Sequence, residues 1–302
     1  MIKVGFIGLG TMGEPMSRNF LKAGYNLSVY DVNLKVVDIL VNEGAKACSS
    51  PREVGANSDV VITMLPNSTI VEKVIIEKDS VMEGIASGGI IIDMSSSQPS
   101  STQKIANILK EKGIEMLDAP VSGGPPGAAA GKLSIMVGGK KEMYEKCLPL
   151  LEVLGSKIFH VGEAGAGHIV KAVNNLLFGT TLVAAVEAIV LGVKAGIAPE
   201  KLVEVISVSS GRCYAVDTKF PNIVFPRHFK PGFTTDLLYK DLDIALTLAK
   251  ELKVPTAVSN VAQQLYMVGQ QKGFGRMDNT AVIKILEEIV GIEVKPYLDS
   301  NE

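Results

Sequence analysis

The first 31 residues constrain the fold more than any other part of this sequence. Residues 2–7 form a short apolar run rich in β-branched and aromatic residues, which predicts a buried parallel strand, and the run ends in Gly8-Leu9-Gly10-Thr11-Met12-Gly13. Apolar residues three or four positions apart follow and predict a helix that ends at Gly24. A second apolar run then stops at Asp31. The order is strand, glycine turn, helix, strand and acid.

This order gives each glycine of the G-x-G-x-x-G a physical role. The first allows a tight turn, the second lets the backbone approach a pyrophosphate, and the third allows the helix to pack closely on the strand. The helix N-terminus directs free N–H groups and the positive end of its dipole at the phosphates. A lone G-x-G-x-x-G can be a chance match, but here the acid follows Gly13 by 18 positions, as the motif requires. We therefore predict dinucleotide binding by Gly8, Leu9, Gly10, Thr11, Met12 and Gly13.

Asp31 indicates which dinucleotide is bound. A carboxylate at the end of the second strand accepts hydrogen bonds from the adenine ribose hydroxyls and repels a 2′-phosphate, whereas NADP sites usually place an arginine nearby. The next residues are Val32 and Asn33, and the nearest cation is Lys35. The alternative for Asp31 is a turn residue beside Asn33. The sequence favours NAD.

Composition excludes several classes of protein. The 302 residues are 47% hydrophobic, enough for a large core and typically two domains. A net charge of −2 without a basic block argues against a nucleic-acid partner, and three scattered cysteines with three histidines indicate no zinc or disulfide framework. The predicted strand at residue 2 leaves no room for a signal peptide. Residues 176–197 are very apolar but contain polar and charged side chains, which predicts a buried helix rather than a membrane span. We expect a cytoplasmic protein.

After Asp31 the sequence alternates between apolar runs and helical patterns. Strands are predicted at residues 45–47, 60–65, 89–94, 115–119, 134–137 and 158–161, and helices at 34–43, from 51, 71–76, 99–112 and 141–154. This alternation predicts an α/β fold with a doubly wound parallel sheet, whose ligands lie outside the carboxyl ends of the strands. The polar segments around Pro66, Ser96 and Ser122 should meet there. Residues 121–131, rich in Gly and Pro, predict backbone N–H groups that hold an anion, an ordinary flexible loop being the alternative.

The pattern changes near residue 164. Strand-like runs become scarce, and helices are predicted at residues 168–195, 199–207, 235–252, 259–272 and 280–290. We therefore expect a dinucleotide-binding domain at residues 1–164 and an all-α domain at 165–302 that begins with a long helix.

Lys171 and Asn175 form the second informative spacing, inside Gly165-x-Gly167-x-x-x-Lys171-x-x-x-Asn175. Residues four apart on one helix face the same way, and this helix begins where the two predicted domains join. A lysine sheltered there can serve as an acid or base. On spacing alone, a solvated surface lysine is the commoner outcome.

Several further segments form one ordered pattern with the glycine turn. They are Met64-Leu65-Pro66, Asp93-Met94-Ser95-Ser96, Asp118-Ala119-Pro120-Val121-Ser122-Gly123-Gly124, residues 165–175, and Lys240-Asp241-Leu242. With these segments in this order, the chain resembles the β-hydroxyacid dehydrogenase family over its whole length. Residues 6–19 are similar to the family's N-terminal signature. That family includes 3-hydroxyisobutyrate dehydrogenase, tartronate semialdehyde reductase and 2-(hydroxymethyl)glutarate dehydrogenase. The family's D-x-S-T motif has threonine where this chain has Ser96, a change that keeps the hydroxyl.

The resemblance implies a Rossmann-type N-terminal domain and a helical C-terminal domain that makes oligomer contacts, giving a dimer or tetramer. It implies NAD-dependent interconversion of a small β-hydroxy acid and its semialdehyde, with Lys171 as general acid/base and no metal. The implied roles of the other residues are as follows: Ser122, Gly123, Gly124 and Asn175 bind the substrate, and Leu65, Pro66, Ser96 and Lys240 bind the cofactor.

Two other functions compete with this interpretation. A 6-phosphogluconate-type NADP dehydrogenase would be longer and would need cations for a phosphate, and Asp31 argues against it. A dinucleotide-sensing module without chemistry would not need both Lys171 and Asn175. The substrate stays open between mono- and dicarboxylates. Cations that could meet a second carboxylate, with solvated surface charge as the alternative, are Arg212, Lys219, Arg227, His228 and Lys230.

Overall fold

A computed structural model describes residues 2–296 of the chain. The described residues fall into two compact units, the first ending at Lys171 and the second beginning at Ala172. The first unit contains, in chain order, β1 (Lys3–Ile7), α1 (Gly13–Lys22), β2 (Asn26–Tyr30), α2 (Leu34–Asn42), β3 (Lys46–Ala47), α3 (Pro51–Ala56), β4 (Val60–Thr63), α4 (Ser68–Ile76), α5 (Val81–Gly84), β5 (Ile90–Asp93), α6 (Pro99–Glu111), β6 (Glu115–Asp118), β7 (Val121–Ser122), α7 (Gly124–Ala129), β8 (Leu133–Gly138), α8 (Lys141–Glu152) and β9 (Gly155–Gly162).

The strands of the first unit form one nine-stranded sheet. Its order is β3-β2-β1-β4-β5-β6-β8-β7, with β9 paired to β8. The first six strands pair in parallel with the strand order of a Rossmann fold, which confirms the predicted α/β class. The order reverses direction between β1 and β4, so the carboxyl ends of these two strands flank the crevice where such folds bind ligands.

The strands that follow β6 depart from the parallel pairing of the first six. Strand β8 runs antiparallel to β6, with Asp118 opposite Gly138, and antiparallel to β7. The connection from β6 to β8 lacks the long crossover helix that a parallel strand needs. Strand β9 returns to the parallel direction beside β8, after helix α8 supplies such a crossover.

Helices cover both faces of the sheet because its central strands are apolar on both sides. Strands β4 and β5 are buried along their whole length, as expected for strands between two layers of helices. One face packs a cluster that includes Phe6, Phe20 and Leu40, and the other packs a cluster that includes Ile7, Ile75 and Leu109. The two clusters fix the carboxyl ends of the strands, where the predicted site residues lie.

The second unit is helical, and helix α9 (Ala166–Lys194) leads into it from the end of the first. The remaining segments are α10 (Pro199–Ser207), a wide π-helical segment (Ala215–Val224), α11 (Thr235–Glu251), α12 (Ala257–Gln271), a 3₁₀ turn (Asn279–Val282) and α13 (Ile283–Val290). The π-helical segment was not predicted, since Pro221 interrupts its sequence pattern. In the described part of the chain, α9 alone is long and apolar enough to cross a bilayer by length and composition. Its Leu182, Val186 and Ile189 are fully buried in the helical core.

Candidate active site

The glycine turn has the geometry that its sequence predicts. Gly8 has a φ of +95°, which side-chain-bearing residues rarely adopt, and a Cβ there would overlap the carbonyl oxygen of Met64. A Cβ on Gly13 would overlap the carbonyl oxygen of Gly8, so the start of α1 packs directly on the turn. Gly10 differs from both, because it is exposed and no atom lies within 4 Å of the position its Cβ would take. The turn therefore offers open backbone at the position where the motif brings a pyrophosphate.

Asp31 is tied to this turn. One carboxylate oxygen accepts a hydrogen bond from the Leu9 N–H at 2.6 Å, and the other accepts one from the Asn33 N–H at 2.7 Å. Each oxygen of a carboxylate has a second lone pair, so both can still accept a ribose hydroxyl. The carboxylate oxygens of Asp31, as acceptors, fit the adenosine part of NAD, and the open Gly10 backbone fits the pyrophosphate.

The segment after β4 is held by the segment after β5. The Ser95 hydroxyl accepts a hydrogen bond from the Leu65 N–H at 2.8 Å, so the Leu65–Pro66 turn lies beside the serine run that contains Ser96. The fully buried Asp93 supports this run by accepting hydrogen bonds from the Thr63 hydroxyl and the Ser95 N–H. The structure thus brings three of the predicted cofactor residues into one neighbourhood at the carboxyl edge of the sheet.

The predicted anion-binding loop is more ordered than the sequence suggests. It begins as β7 and continues into the short helix α7, with Gly123 at φ +131° and Gly124 at φ +61°. Both values lie where glycine is favoured, so Ser122, Gly123 and Gly124 form a sharp turn. The Asn19 side chain of α1 donates a hydrogen bond to the Ala128 carbonyl at 2.8 Å, which fastens α7 to the helix of the glycine turn.

Lys171 is directed at this same loop. Its amine donates a hydrogen bond to the carbonyl oxygen of Val121 at 2.8 Å, and the side chain is half-buried. Val121 immediately precedes Ser122, so the amine lies at the start of the turn predicted to bind a carboxylate. A lysine held in this way presents a proton-bearing nitrogen next to the backbone that is predicted to bind an anion.

Two buried residues of this neighbourhood were missed by the sequence analysis. Asp118 accepts hydrogen bonds from the Gly165 N–H at 2.7 Å and the His168 N–H at 2.8 Å. It therefore caps the first turn of α9, the helix that contains Lys171. The His168 ring contacts Ser95 and Thr102. The signal that could have found Asp118 is a pair of glycines, because a Cβ at Gly138 or Gly167 would overlap the space that Asp118 occupies.

In the second unit, Asn175 and Lys240 both contact Asp241. The Asn175 amide donates a hydrogen bond to the Asp241 carboxylate at 2.6 Å, and the Lys240 amine lies 3.1 Å from the other carboxylate oxygen. Asn175 and Asp241 are buried and Lys240 is half-buried. Asp241 therefore orients two predicted site residues at once.

Most of the cations considered for a second substrate carboxylate already hold a carboxylate of the chain. The pairs are Arg212–Asp217 at 2.7 Å, Lys219–Asp278 at 2.9 Å and Arg227–Glu287 at 2.6 Å. The His228 ring bonds backbone groups of Asn222 and Lys230, and Lys230 itself is exposed. Among residues 2–296, no group of three or more His, Cys, Asp or Glu side chains is arranged to hold a metal ion.

Comparison with protein families gives two matches that together span most of the chain. The family model described as the NAD binding domain of 6-phosphogluconate dehydrogenase matches residues 3–162. The model described as NAD-binding of NADP-dependent 3-hydroxyisobutyrate dehydrogenase matches residues 165–286.

Similar proteins cover nearly the full length. The chain is 46% identical to 2-(hydroxymethyl)glutarate dehydrogenase of Eubacterium barkeri, covering 97% of each protein. It is 40% identical to the NAD-dependent L-serine dehydrogenase of Pseudomonas aeruginosa, covering 96% of this chain and 100% of that one. Among solved structures, 3-hydroxyisobutyrate dehydrogenase of Mycobacterium tuberculosis with L-serine superposes with a TM-score of 0.89 at 33% identity, covering 95% of this chain and 99% of that one.

Proposed function

This chain belongs to the β-hydroxyacid dehydrogenase family and is an NAD-dependent oxidoreductase, and we propose that Lys171 is its general acid/base. The observation that carries the proposal is the 2.8 Å hydrogen bond from the Lys171 amine to the Val121 carbonyl, which keeps the amine beside the Ser122–Gly124 turn. A substrate whose carboxylate bound that turn would have its hydroxyl close to the amine.

In the oxidative direction, NAD supplies the hydride acceptor. Lys171 takes the hydroxyl proton as the hydride leaves the carbon, and in the reductive direction it returns that proton to the carbonyl oxygen. The positive charge of the protonated amine stabilises the negative charge that develops on the substrate oxygen during the transfer. No metal is required for this step, because the lysine handles both the proton and the charge.

The substrate is held by groups that suit an anion. We assign the substrate carboxylate to Ser122, Gly123 and Gly124, whose glycines turn the backbone sharply, and the region of the hydroxyl to Asn175. The amide of Asn175 is already oriented by Asp241, and its oxygen and remaining proton are suited to a hydroxyl.

The remaining residues are assigned to NAD. Gly8, Leu9, Gly10, Thr11, Met12 and Gly13 receive the pyrophosphate, Asp31 receives the adenine ribose hydroxyls, and Leu65, Pro66 and Ser96 line the nicotinamide half. Lys240, the cation of the Lys240-Asp241-Leu242 segment, is also assigned to NAD. The supporting observations are the open backbone at Gly10 and the oriented carboxylate of Asp31.

We propose a dicarboxylate β-hydroxy acid as the preferred substrate, with 2-(hydroxymethyl)glutarate as its representative. The support is the 46% identity to a 2-(hydroxymethyl)glutarate dehydrogenase. Lys230 is our candidate for the second carboxylate, because Arg212, Lys219 and Arg227 already have carboxylate partners.

The test is NADH formation from 2-(hydroxymethyl)glutarate, 3-hydroxyisobutyrate, L-serine and glycerate, the last being the reduced partner of tartronate semialdehyde. We expect the highest kcat/KM for the dicarboxylate. Lys230→Ala should raise KM for this dicarboxylate, whereas kinetics with the monocarboxylate 3-hydroxyisobutyrate should stay unchanged. A higher kcat/KM for a monocarboxylate would overturn the substrate assignment but not the reaction class. No turnover on the whole panel would overturn the catalytic function.

We also propose how the protein is organised. The dinucleotide-binding domain is assigned to residues 1–164 and the substrate and oligomerisation domain to residues 165–302, in a cytoplasmic homodimer or homotetramer. The support for assembly is the apolar surface of α9, where Leu177 is 66% exposed and Leu191 is 71% exposed.

A further inference from the structure

His168 is a buried polar residue that has no role in the proton transfer proposed for Lys171. Its side chain is inaccessible to solvent, and both ring nitrogens have partners. Nε2 lies 2.9 Å from the carbonyl oxygen of Ser95, and Nδ1 lies 2.7 Å from the Thr102 hydroxyl. A carbonyl oxygen can only accept, so Nε2 carries a proton and donates it to Ser95.

The partners of His168 come from separate parts of the sequence. Ser95 follows β5 and Thr102 lies in α6, whereas His168 belongs to the first turn of α9. The His168 N–H donates to Asp118, at the end of β6. The residue therefore joins the first turn of α9 to two neighbouring strand ends through its ring and its backbone.

These contacts connect Lys171, the proposed proton-transfer group, with the Ser95–Ser96 run, which is assigned to the nicotinamide half of NAD. Ser95 precedes Ser96, and its hydroxyl holds the Leu65 N–H of the nicotinamide-side turn. Lys171 follows His168 by one helical turn, so both side chains lie on the same side of α9. A displacement of the His168 ring would move the lysine relative to the serine run.

We propose that His168 is a positioning residue of the catalytic site, holding the first turn of α9 against the end of β5 so that the Lys171 amine and the Ser95–Ser96 run keep a fixed separation. This inference rests on the proposed role of Lys171. His168 suits the task because imidazole is rigid and offers two nitrogens on different sides of the ring. Its partners are buried, and buried hydrogen bonds of this kind specify one arrangement of the elements they join.

The main test compares His168→Phe with His168→Gln, using 2-(hydroxymethyl)glutarate or the best substrate of the panel. Phenylalanine fills the space but cannot bond Ser95 or Thr102. Misplacement of a reacting group by about 1 Å can cost about 100-fold in rate, so we expect a kcat loss of that order with KM little changed. Glutamine supplies an N–H donor for the Ser95 carbonyl and should recover most of the loss.

Two further readouts separate positioning from folding. The deuterium isotope effect on kcat, measured with substrate deuterated at the carbinol carbon, should rise in His168→Phe because hydride transfer becomes slower than product release. NADH affinity should stay near that of the wild type, since the glycine turn and Asp31 are untouched. The chain contains no tryptophan, so the fluorescence of bound NADH can be titrated without that background.

Leu109→Ala provides the matched control. Leu109 is fully buried on α6, the helix of Thr102, but belongs to the apolar cluster rather than to the hydrogen-bonded group. Its truncation should lower the melting temperature and leave kcat unchanged at temperatures where the variant is folded. A His168→Phe variant that behaved in the same way would overturn the proposal, as would equal losses of kcat in His168→Phe and His168→Gln.

Thr102 keeps the proposal testable if His168→Phe does not fold. Thr102→Val removes the hydroxyl that contacts Nδ1 but preserves shape, and we expect a kcat loss of about 10-fold that Thr102→Ser does not show. Wild-type kcat in Thr102→Val would overturn the proposal. A wild-type enzyme inactive on every substrate, or a fully active Lys171→Ala variant, would instead overturn the proposed function, so the two failures are distinguishable.

Discussion

The carboxylate of Asp31 accepts a hydrogen bond from the N–H of Leu9 at 2.6 Å. The acid that follows β2 is therefore joined directly to the glycine turn that follows β1. This contact fixes the carboxylate beside the glycine turn, so Asp31 supports the turn as well as being the proposed ligand of the adenine ribose.

Asp31→Ala should reduce kcat/KM for NAD and improve the preference for NADP relative to NAD. Hydrogen bonds to a charged group are worth about 1.5–3 kcal/mol, so we expect a loss of roughly 10- to 100-fold with NAD. The measurement is kcat/KM for both cofactors at fixed hydroxy acid. Asp38→Ala, which removes an exposed carboxylate of α2, is the matched control and should change neither value. A wild-type preference for NADP would contradict the role given to Asp31.

Asp241→Ala should impair substrate binding through Asn175. The buried Asn175 amide loses its carboxylate partner, so its N–H group is no longer held in the orientation that Asp241 imposes. The loss of a hydrogen bond to a charged group predicts a rise in KM for the hydroxy acid of roughly 10-fold or more. Asp243→Ala, two positions further along α11 and exposed, is the control. An unchanged KM in Asp241→Ala would remove Asn175 from the substrate site.

The apolar surface of α9 predicts that the protein is an oligomer. Leu177 and Leu191 are mostly exposed in the single chain and lie 14 residues apart, which places them on one face of the helix. The double variant Leu177→Glu/Leu191→Glu should shift the molar mass in light scattering toward that of one chain. Ile39→Glu, at an exposed position of α2, should leave the mass unchanged. A wild-type protein that is monomeric at micromolar concentration would contradict the proposed assembly.

The buried thiol of Cys147 predicts a loss of stability at alkaline pH. Burial raises the pKa of the Cys147 thiol from 9.0 to about 11. Between these values the unfolded chain releases the proton and the folded protein does not, so the free energy of unfolding falls as pH rises, by about 3 kcal/mol in total. Cys147→Ala should flatten this pH dependence of the free energy of unfolding, measured by urea denaturation at a series of pH values. Parallel profiles for wild type and Cys147→Ala would refute the assignment.

The parts of the fold that could be predicted are those whose signals are local. The strand–glycine turn–helix at Gly8–Gly13 is visible because Gly8 and Gly13 each stand where a side chain could not fit. The antiparallel pairing of Asp118 with Gly138 depends on residues 20 positions apart, and no spacing in the sequence reports it. Helix α7 had an available signal, since Pro125 and Pro126 occupy its first turn, but the glycines around them favour a loop.

In the candidate site, too, the local patterns were predictable and the contacts between distant residues were not. The spacing of Lys171 and Asn175 places them on one helix face, and the family resemblance supplies their roles. Their supports were not predicted, because His168 meets Ser95 across 73 positions and Asn175 meets Asp241 across 66. Such contacts form only once the strands and helices have packed, so a sequence pattern can predict candidate reacting groups but not the residues that orient them.

The proposed proton transfer depends on Lys171. Lys171→Ala should lose roughly two to four orders of magnitude in rate, the usual contribution of a general acid-base group. Lys171→Arg should not recover activity, because a guanidinium stays protonated and cannot accept the hydroxyl proton. Lys194→Ala, at the exposed end of the same helix, should retain full activity.

The most direct measurement is stopped-flow hydride transfer in a single turnover, followed by NADH absorbance, alongside NADH titration of the same Lys171→Ala preparation. We expect hydride transfer to be slowed by roughly two to four orders of magnitude, with NADH affinity unchanged. Hydride transfer at near wild-type rate would contradict the acid-base role. Loss of NADH binding together with the rate would make Lys171 a structural residue of the dinucleotide-binding unit.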